Sequence, residues 1–336
     1  MSELTDSSTA ARSRGRFAPS PTGPLHLGNA RTALLAWLAA RAGGSTFVMR
    51  LEDLDGPRVR PGMEQRVLDE LAWLGIDWDE GPDVGGPVGP YRQSQRRPRY
   101  DAALATLRAV GLVYPCFCSH AEIAAASHAP HGDGDDGPRY PGACRELGAA
   151  EIAARRARRA PAWRFRVPPG TVAFEDEVHG RCEIDVGAQT GDFVVARNDG
   201  VAAYQLAVVV DDAAMDVAQV VRGDDLLSST ARQVLLYRAL ALAVPRFAHV
   251  PLVVGADGSR LAKRHGAPSL GELRARGADP RAVVGLLAAL SGLARDAAPR
   301  APRDLLAGFT LRRVPARPAV LTDEMVASLV PAGAAP

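Results

Sequence analysis

A chain of 336 residues, 47% apolar and 23% charged, is long enough for one large or two to three modest domains and has the make-up of an ordinary soluble globular protein. No apolar run reaches the roughly 18 residues of a bilayer-spanning helix, and the opening MSELTDSSTAARSRGR lacks the apolar stretch of a secretion signal, so a cytoplasmic protein with no membrane partner is expected. A net charge of +2 supplies no global field toward nucleic acid, so any RNA contact must come from local patches.

Residues 1–14 are polar and read as a disordered tail. RFAPSPTGPLHLGNARTALLAWLAARAGG then reads as strand, Pro/Gly-rich turn and helix, with Gly43 and Gly44 stopping the helix and STFVMRLEDLD following as a second strand. This βαβ opening predicts a parallel sheet with a ligand at the first strand–helix turn. PGMEQRVLDELAWLGIDW and RPRYDAALATLRAVGLVYPC are amphipathic helices. Two arginine clusters, Arg92, Arg96, Arg97 and Arg99, then Arg155, Arg156, Arg158 and Arg159, are either solvated helix faces or RNA-facing patches. Residues 116–145 hold three of the four cysteines around the low-complexity stretch HAPHGDGDDGP, and 163–197 read as short strands of a separate subdomain. YQLAVVVDDA reads as a buried strand, DVAQVVRGDDLL as the next, and SSTARQVLLYRALALA as a helix. HVPLVVGADGSRLAKRHG supplies a further strand and a polar loop, residues 269–293 are helical, and from about 296 the chain is Ala/Pro/Arg-rich.

Of the 40 basic residues 39 are arginine, and the single lysine, Lys263, lies in the glycine-flanked loop GSRLAKRHGA. Arginine replaces lysine in most surface roles, but not where a compact ammonium must meet a phosphate as a point charge. The turn Pro19-Ser20-Pro21-Thr22-Gly23-Pro24-Leu25-His26-Leu27-Gly28-Asn29 is the complementary feature. A helix starting near Asn29 would aim free N–H groups and its positive end at an anion, with Gly28 letting the ligand approach the backbone. His26 at that mouth could donate to a phosphate oxygen as charge builds. Cys116-x-Cys118 with Cys144 offers thiolates for a tetrahedral structural zinc, and by donor chemistry His120 is the natural fourth ligand. Cys182 lies apart and reads as packing.

These motifs resemble the class I aminoacyl-tRNA synthetases: HLGN looks like their HIGH signature and RLAKR, residues 260–264, like their KMSKS loop. RFAPSPTGPLHLGNARTAL, RLEDLD, LDELAWLGIDW, RNDGVAAYQLAVVVDDA and VVRGDDLLSSTARQVLLY narrow the resemblance to the glutamyl group over about residues 14–293. Asn29 departs from the second histidine of HIGH, and Arg260, Ala262 and Arg264 depart from the Lys and two Ser of KMSKS, so Lys263 alone keeps the central cation.

The resemblance implies an α/β fold: a Rossmann-like doubly wound parallel sheet, an inserted zinc-bearing α+β subdomain, and a short helical C-terminal stem-contact region. It would divide the chain into catalytic halves at 15–110 and 196–265, the insert at 111–195, and the C-terminal region at 266–336. It implies a monomeric enzyme that activates L-glutamate with ATP and Mg²⁺, with His26 and Lys263 catalytic and His26, Gly28, Asn29 and Lys263 around the nucleotide. Arg16 would grip the substrate's side-chain carboxylate, with Phe17, Ala18, Pro19 and Ser20 alongside; Glu52 would take the α-ammonium, and Tyr204 and Arg222 would close the pocket. It points to Tyr140 rather than His120 as the fourth zinc ligand beside Cys116, Cys118 and Cys144. Only 73 residues follow Lys263, too few for the helical anticodon-binding domain of an ordinary glutamyl-tRNA synthetase. The expectation is therefore the short branch of the group, which holds the anticodon stem-loop of tRNA(Asp) and esterifies its queuosine. Charging of a tRNA 3′ end, a nucleotidyltransferase of the HxGH type and a non-catalytic tRNA-binding module are the alternatives.

Overall fold

The computed structural model describes residues 13–119, 121–123, 138–259, 261 and 268–331; the tail up to residue 12, His120, and Arg260, Ala262, Lys263 and Arg264 lie outside them. The chain opens as β1 (Arg14–Phe17), α1 (Leu27–Ala42) and β2 (Thr46–Met49), with β2 parallel to β1, which is the βαβ unit expected from the sequence. Next come α2 (Met63–Trp73), α3 (Arg97–Ala109), β3 (Val113–Cys116), α4 (Ala149–Arg156), β4 (Ala162–Phe165), β5 (Val172–Asp176), β6 (Gly180–Ile184), the single turn α5 (Val186–Gln189) and β7 (Val194–Ala196). The second half holds α6 (Tyr204–Ala214), β8 (Val217–Gly223), α7 (Leu227–Ala239), β9 (Arg246–Val250), β10 (Val253–Val254), α8 (Leu270–Ala275), α9 (Pro280–Leu290), β11 (Ala319–Val320) and α10 (Asp323–Ala327).

The main sheet has the order β2-β1-β8-β9-β5-β6, parallel except for the β5–β6 hairpin. Strand β2 and the middles of β8 and β9 are apolar on both faces because both are covered, whereas β5 and β6 at the edge carry exposed polar residues. Phe47 and Met49 join a core with α1, α2, α8 and α9, while Val48 between them joins a second core with α3, α6 and α7. Strand β1 lies between β2 and β8, so chain connections diverge on either side of it and leave a crevice beyond the strands' carboxyl ends. The strands of the 162–196 stretch divide: β4 and β7 form a three-stranded sheet with β3, whereas β5 and β6 join the main sheet through β9.

The strand reading of one apolar run needs correction. YQLAVVVDDA is not a strand but most of α6, buried from Leu206 to Asp212 between the sheet and its neighbouring helices. A short apolar run wrapped on several sides has the same letters in either conformation, and here packing decides for the helix. The C-terminal region is helical through α8 and α9, within the expected 269–293, and beyond them consists chiefly of turns around Pro302–Leu305 and Leu311–Arg313, strand β11 paired with the earlier β10, and the five-residue α10. Leu311, Val314, Leu321 and Leu329 hold it on the first core, while its prolines remove the backbone donors that a long helix needs.

Candidate active site

The β1–α1 turn forms around one imidazole. His26 is the N-cap of α1, and its Nδ1 accepts from the backbone N–H groups of Gly28 at 3.1 Å and Asn29 at 3.3 Å. The Asn29 side chain accepts in return from the His26 N–H at 3.3 Å, which closes a capping box. An Nδ1 that accepts leaves the ring proton on Nε2, and burial lowers the pKa below the ordinary 6.5, so the ring is a neutral donor. The expectation of free N–H groups at this helix start is therefore corrected: His26 occupies those of Gly28 and Asn29, and the helix begins at Leu27. Gly28 is needed for a different close approach than expected, since a Cβ there would lie 2.9 Å from His26 Cε1 and 3.0 Å from its Nδ1. The ring needs that space.

A cavity of about 680 Å³ opens at this turn, at the carboxyl ends of β1, β8 and β9. Arg16, Phe17, Ala18, Pro19, Ser20, His26, Gly28, Asn29, Glu52, Tyr204 and Arg222 all line it. Among the described residues, every glutamate-pocket and nucleotide-turn candidate thus meets in one space. Two backbone bonds bring Glu52 there: Arg50 N–H donates to the Phe17 carbonyl at 3.1 Å, and Glu52 N–H to that of Pro19 at 3.0 Å. Leu261, two positions before Lys263, lines the same cavity. On the other flank, Leu270 N–H donates to the Leu25 carbonyl at 2.8 Å and Ser269 pairs with His26. Both flanks of the lysine segment therefore reach the histidine turn.

The floor is a buried charge network. Arg16 donates through Nε and Nη2 to the two oxygens of Asp212, at 3.2 and 3.3 Å, and through Nη1 to the Val221 carbonyl at 3.4 Å. Three of its five donor hydrogens are so occupied, which leaves the end-on face of the fork, between Nη1 and Nη2, for a ligand. Arg50 donates to Asp212 at 2.6 Å and to Glu52 at 3.0 Å. Burial opposes the charge on Asp212, but Arg16 and Arg50 outweigh it and hold the carboxyl below its ordinary range. Glu52 shifts the other way, raised by burial against the pull of Arg50 and Arg16. Asp211 next door is a structural hub, accepting from Gln93 at 2.8 Å, Arg96 at 2.5 Å and Tyr100 at 2.7 Å.

Arg222 is 5% exposed and held from behind. Its Nε donates to His249 Nε2 at 3.0 Å and its Nη2 to Thr230 Oγ1 at 2.8 Å, while Nη1 is buried with no protein partner. Sequence reasoning missed Arg50, Asp211, Asp212, Asp176 and His249. The one available signal was the acidic pair inside the apolar run VVVDD, since buried acids demand buried partners.

Three thiols cluster as their spacing suggested. The Sγ atoms of Cys116, Cys118 and Cys144 lie within 4.8 Å of one another, and those of Cys118 and Cys144 are 3.6 Å apart. Zinc–sulfur bonds of about 2.3 Å on a tetrahedron set sulfurs about 3.8 Å apart, so the spacing fits a zinc ion. The Tyr140 hydroxyl is 3.4 Å from Cys116 Sγ and accepts from the Cys144 N–H at 2.8 Å, which puts one oxygen beside the three sulfurs of the cluster. Burial pushes the Cys118 thiol up to about 12. The Cys116 thiol is lowered, because hydrogen bonds from Tyr140, the Cys118 backbone and Arg164 outweigh its burial. Cys182 is remote from the cluster, on β6.

The first arginine patch is not one surface. Arg96 is buried on Asp211 and Arg92 is paired with Glu64, so only Arg97 and Arg99 face solvent. Arg155, Arg156, Arg158 and Arg159 are all exposed at the end of α4.

A covered parallel sheet, a histidine-capped helix at the first crevice and a charged pocket beside it form the catalytic architecture of a class I tRNA synthetase. In agreement, residues 13–298 match the family described as tRNA synthetases class I (E and Q), catalytic domain. Relatives narrow this further. The Glutamyl-Q tRNA(Asp) synthetase of Symbiobacterium thermophilum is 54% identical over 316 residues, 94% of this chain and 98% of that protein. The protein of the same name from Nitratidesulfovibrio vulgaris is 48% identical over 314 residues, 93% of this chain and 97% of its own. A crystal structure of glutamate-tRNA synthetase from Elizabethkingia anophelis superposes with a TM-score of 0.81 at 30% identity, over 95% of this chain and 70% of that one. The chain belongs to the glutamyl-Q tRNA(Asp) synthetase family of class I synthetases.

Proposed function

We propose that this chain joins L-glutamate to ATP as glutamyl-adenylate, releasing pyrophosphate, and then passes the glutamyl group to queuosine at the wobble position of tRNA(Asp). The observation that carries the first half is the charge balance of the pocket. In the buried floor, Arg16, Arg50 and Arg222 stand with Asp212 and Glu52, three guanidinium groups against two carboxylates, while the other acid lining the cavity, Asp225, is exposed to solvent, so the floor keeps one positive charge for a ligand. Glutamate is a zwitterion with one extra carboxylate and matches that surplus. Its side-chain carboxylate suits the end-on fork of Arg16, its ammonium suits Glu52, and Tyr204, 37% exposed at the start of α6, suits the role of a closing wall.

In the first step an α-carboxylate oxygen attacks the α-phosphorus of ATP and pyrophosphate leaves. His26 donates from Nε2 to a phosphate oxygen without giving up its proton, and its own cap holds the ring in place. Gly28 and Asn29 shape the nucleotide side of the turn, and Lys263 approaches the phosphates as a point charge. Mg²⁺ bound with ATP would neutralise phosphate charge. In the second step a queuosine hydroxyl attacks the glutamyl carbonyl and AMP leaves. Cys116, Cys118, Cys144 and Tyr140 would hold a zinc ion whose contribution is structural, tying β3 to the loop that follows it. The four exposed arginines at the end of α4, with Arg97 and Arg99, suit an RNA backbone.

The names and near-complete mutual coverage of the two glutamyl-Q relatives support queuosine as acceptor. The structural likeness to a glutamate-tRNA synthetase favours charging of a tRNA 3′ end as the second reading. Glutamate-dependent exchange of labelled pyrophosphate into ATP is the expected first result, and its absence would overturn the enzymatic reading in favour of a tRNA-binding module. Charging total tRNA with and without queuosine, then mapping the label, separates the two acceptors. Label on tRNA(Asp) only when queuosine is present is expected; label on the 3′ end of tRNA(Glu) would replace this proposal with the second reading.

A further inference from the structure

Three neighbouring parallel strands carry one polar side chain each into a single line. Arg222 on β8 stands opposite His249 on β9, and Asp176 ends β5 on the far side of β9. Arg222 Nε donates to His249 Nε2 at 3.0 Å, and His249 Nδ1 donates to Asp176 Oδ2 at 2.7 Å. Asp176 is itself fixed by the backbone N–H groups of Val178 and His179, both at 2.9 Å, and by that of His249 at 3.0 Å. The side chains of His249 and Asp176 have no exposed surface. Neither lines the pocket, yet the line ends at Arg222, which does.

Donor and acceptor roles follow from the chemistry. A guanidinium can only donate, so His249 Nε2 must be the bare nitrogen and Nδ1 must carry the proton. A carboxylate on the Nδ1 side selects that tautomer. A second proton would set N–H against N–H and two like charges side by side in a dry interior. In accord, burial pushes the His249 pKa down to about 4, with Arg222 opposing the second proton against the pull of Asp176.

We infer that Asp176 and His249 are positioning residues for substrate specificity: they lock the Arg222 guanidinium so that its unpartnered Nη1 points a fixed donor at a carboxylate of the amino-acid substrate. This rests on the proposed glutamate pocket and goes beyond it by assigning a function to two buried residues that touch neither substrate. Arg222 has lost its freedom to turn away. A carboxylate in the right place gains a preorganised donor, and an amino acid without one leaves a buried charge unpaired.

The test is a paired kinetic series in the pyrophosphate-exchange assay with His249→Leu, His249→Gln and Asp176→Asn. Leucine removes the acceptor, and an amide at 176 can donate to Nδ1, which moves the ring proton to Nε2 against Arg222. Both variants should raise the KM for glutamate about tenfold or more while changing the KM for ATP less than about twofold. Glutamine, whose Oε1 can stand in for the bare Nε2, should recover most of the loss. Equal effects on both substrates, an unchanged glutamate KM, or no recovery with glutamine would overturn the inference. Nitrogen-15 NMR of histidine-labelled wild-type protein gives a readout independent of turnover, so failure of the glutamate reading and failure of this relay remain distinguishable. A neutral His249 protonated at Nδ1 at neutral pH is expected; the opposite tautomer or an imidazolium refutes the relay even in an inactive protein.

Discussion

Acidification probes the buried His249 through stability rather than turnover. In the folded chain its pKa is depressed from 6.5 to about 4. Between those values an unfolded chain binds a proton at this position and the folded chain does not. The folded state then holds fewer protons, so stability rises with pH across this window and falls as acid is added. At about 1.36 kcal/mol per pH unit the whole window is worth about 3 kcal/mol, fully present above the unfolded value and gone at the folded one. Other groups titrate over the same range, so the measurement is a difference between the wild type and His249→Gln, whose amide takes no proton. Urea titrations of both proteins at neutral pH and at about pH 4.5 give the two free energies. The wild type should lose about 2–3 kcal/mol more than the variant on acidification. Equal losses would refute the reasoning, because the neutral imidazole would then carry no proton linkage.

Three further outcomes follow from the site. Asp212→Asn leaves Arg16 and Arg50 without their shared carboxylate, and should cost about 3–5 kcal/mol in urea denaturation together with most of the glutamate-dependent exchange; a loss below about 1 kcal/mol would mean that the guanidinium groups find other partners. Gly28→Ala should lower exchange about tenfold or more with the fold retained, because alanine suits a helix but its Cβ would displace the His26 ring from a 2.9 Å approach; an unchanged rate would remove His26 from the chemistry. Cys118→Ser should reduce bound zinc measured by elemental analysis and lower the melting temperature, whereas Cys182→Ser, remote on β6, should alter neither; equal zinc content in both variants would reject the three-thiol site.

What could be read from the sequence was whatever is local. The β1–α1–β2 unit was visible because its glycines and prolines punctuate an apolar strand and a long helix, and the thiol cluster because two of its members are two residues apart. Arg16, Glu52, Tyr204 and Arg222 were found only through the family resemblance, since nothing in their own neighbourhoods marks them. The network that holds them was hidden by distance along the chain: Arg16 meets its partner Asp212 across 196 positions, and His249 meets Asp176 across 73. Helix α6 was misread because its valines favour a strand locally, while the burial that makes it a helix comes from elements far away in sequence. His26 was recognised, but its role as the helix's own cap depends on ring orientation, which letters do not carry.

The hairpin that completes the main sheet has a practical consequence for anyone who would pare this protein down. Strand β5 belongs to the long excursion between the two halves of the sheet, the portion that protein engineers would cut out or swap first. Its last residue is nevertheless Asp176, the anchor behind His249 and Arg222. A miniature that replaces everything from β3 to β7 with a linker would keep all the pocket-lining side chains and still lose the brace behind one of them. Chimeras between relatives should therefore take everything from β5 through β9 from one parent, so that aspartate, arginine and histidine are inherited together.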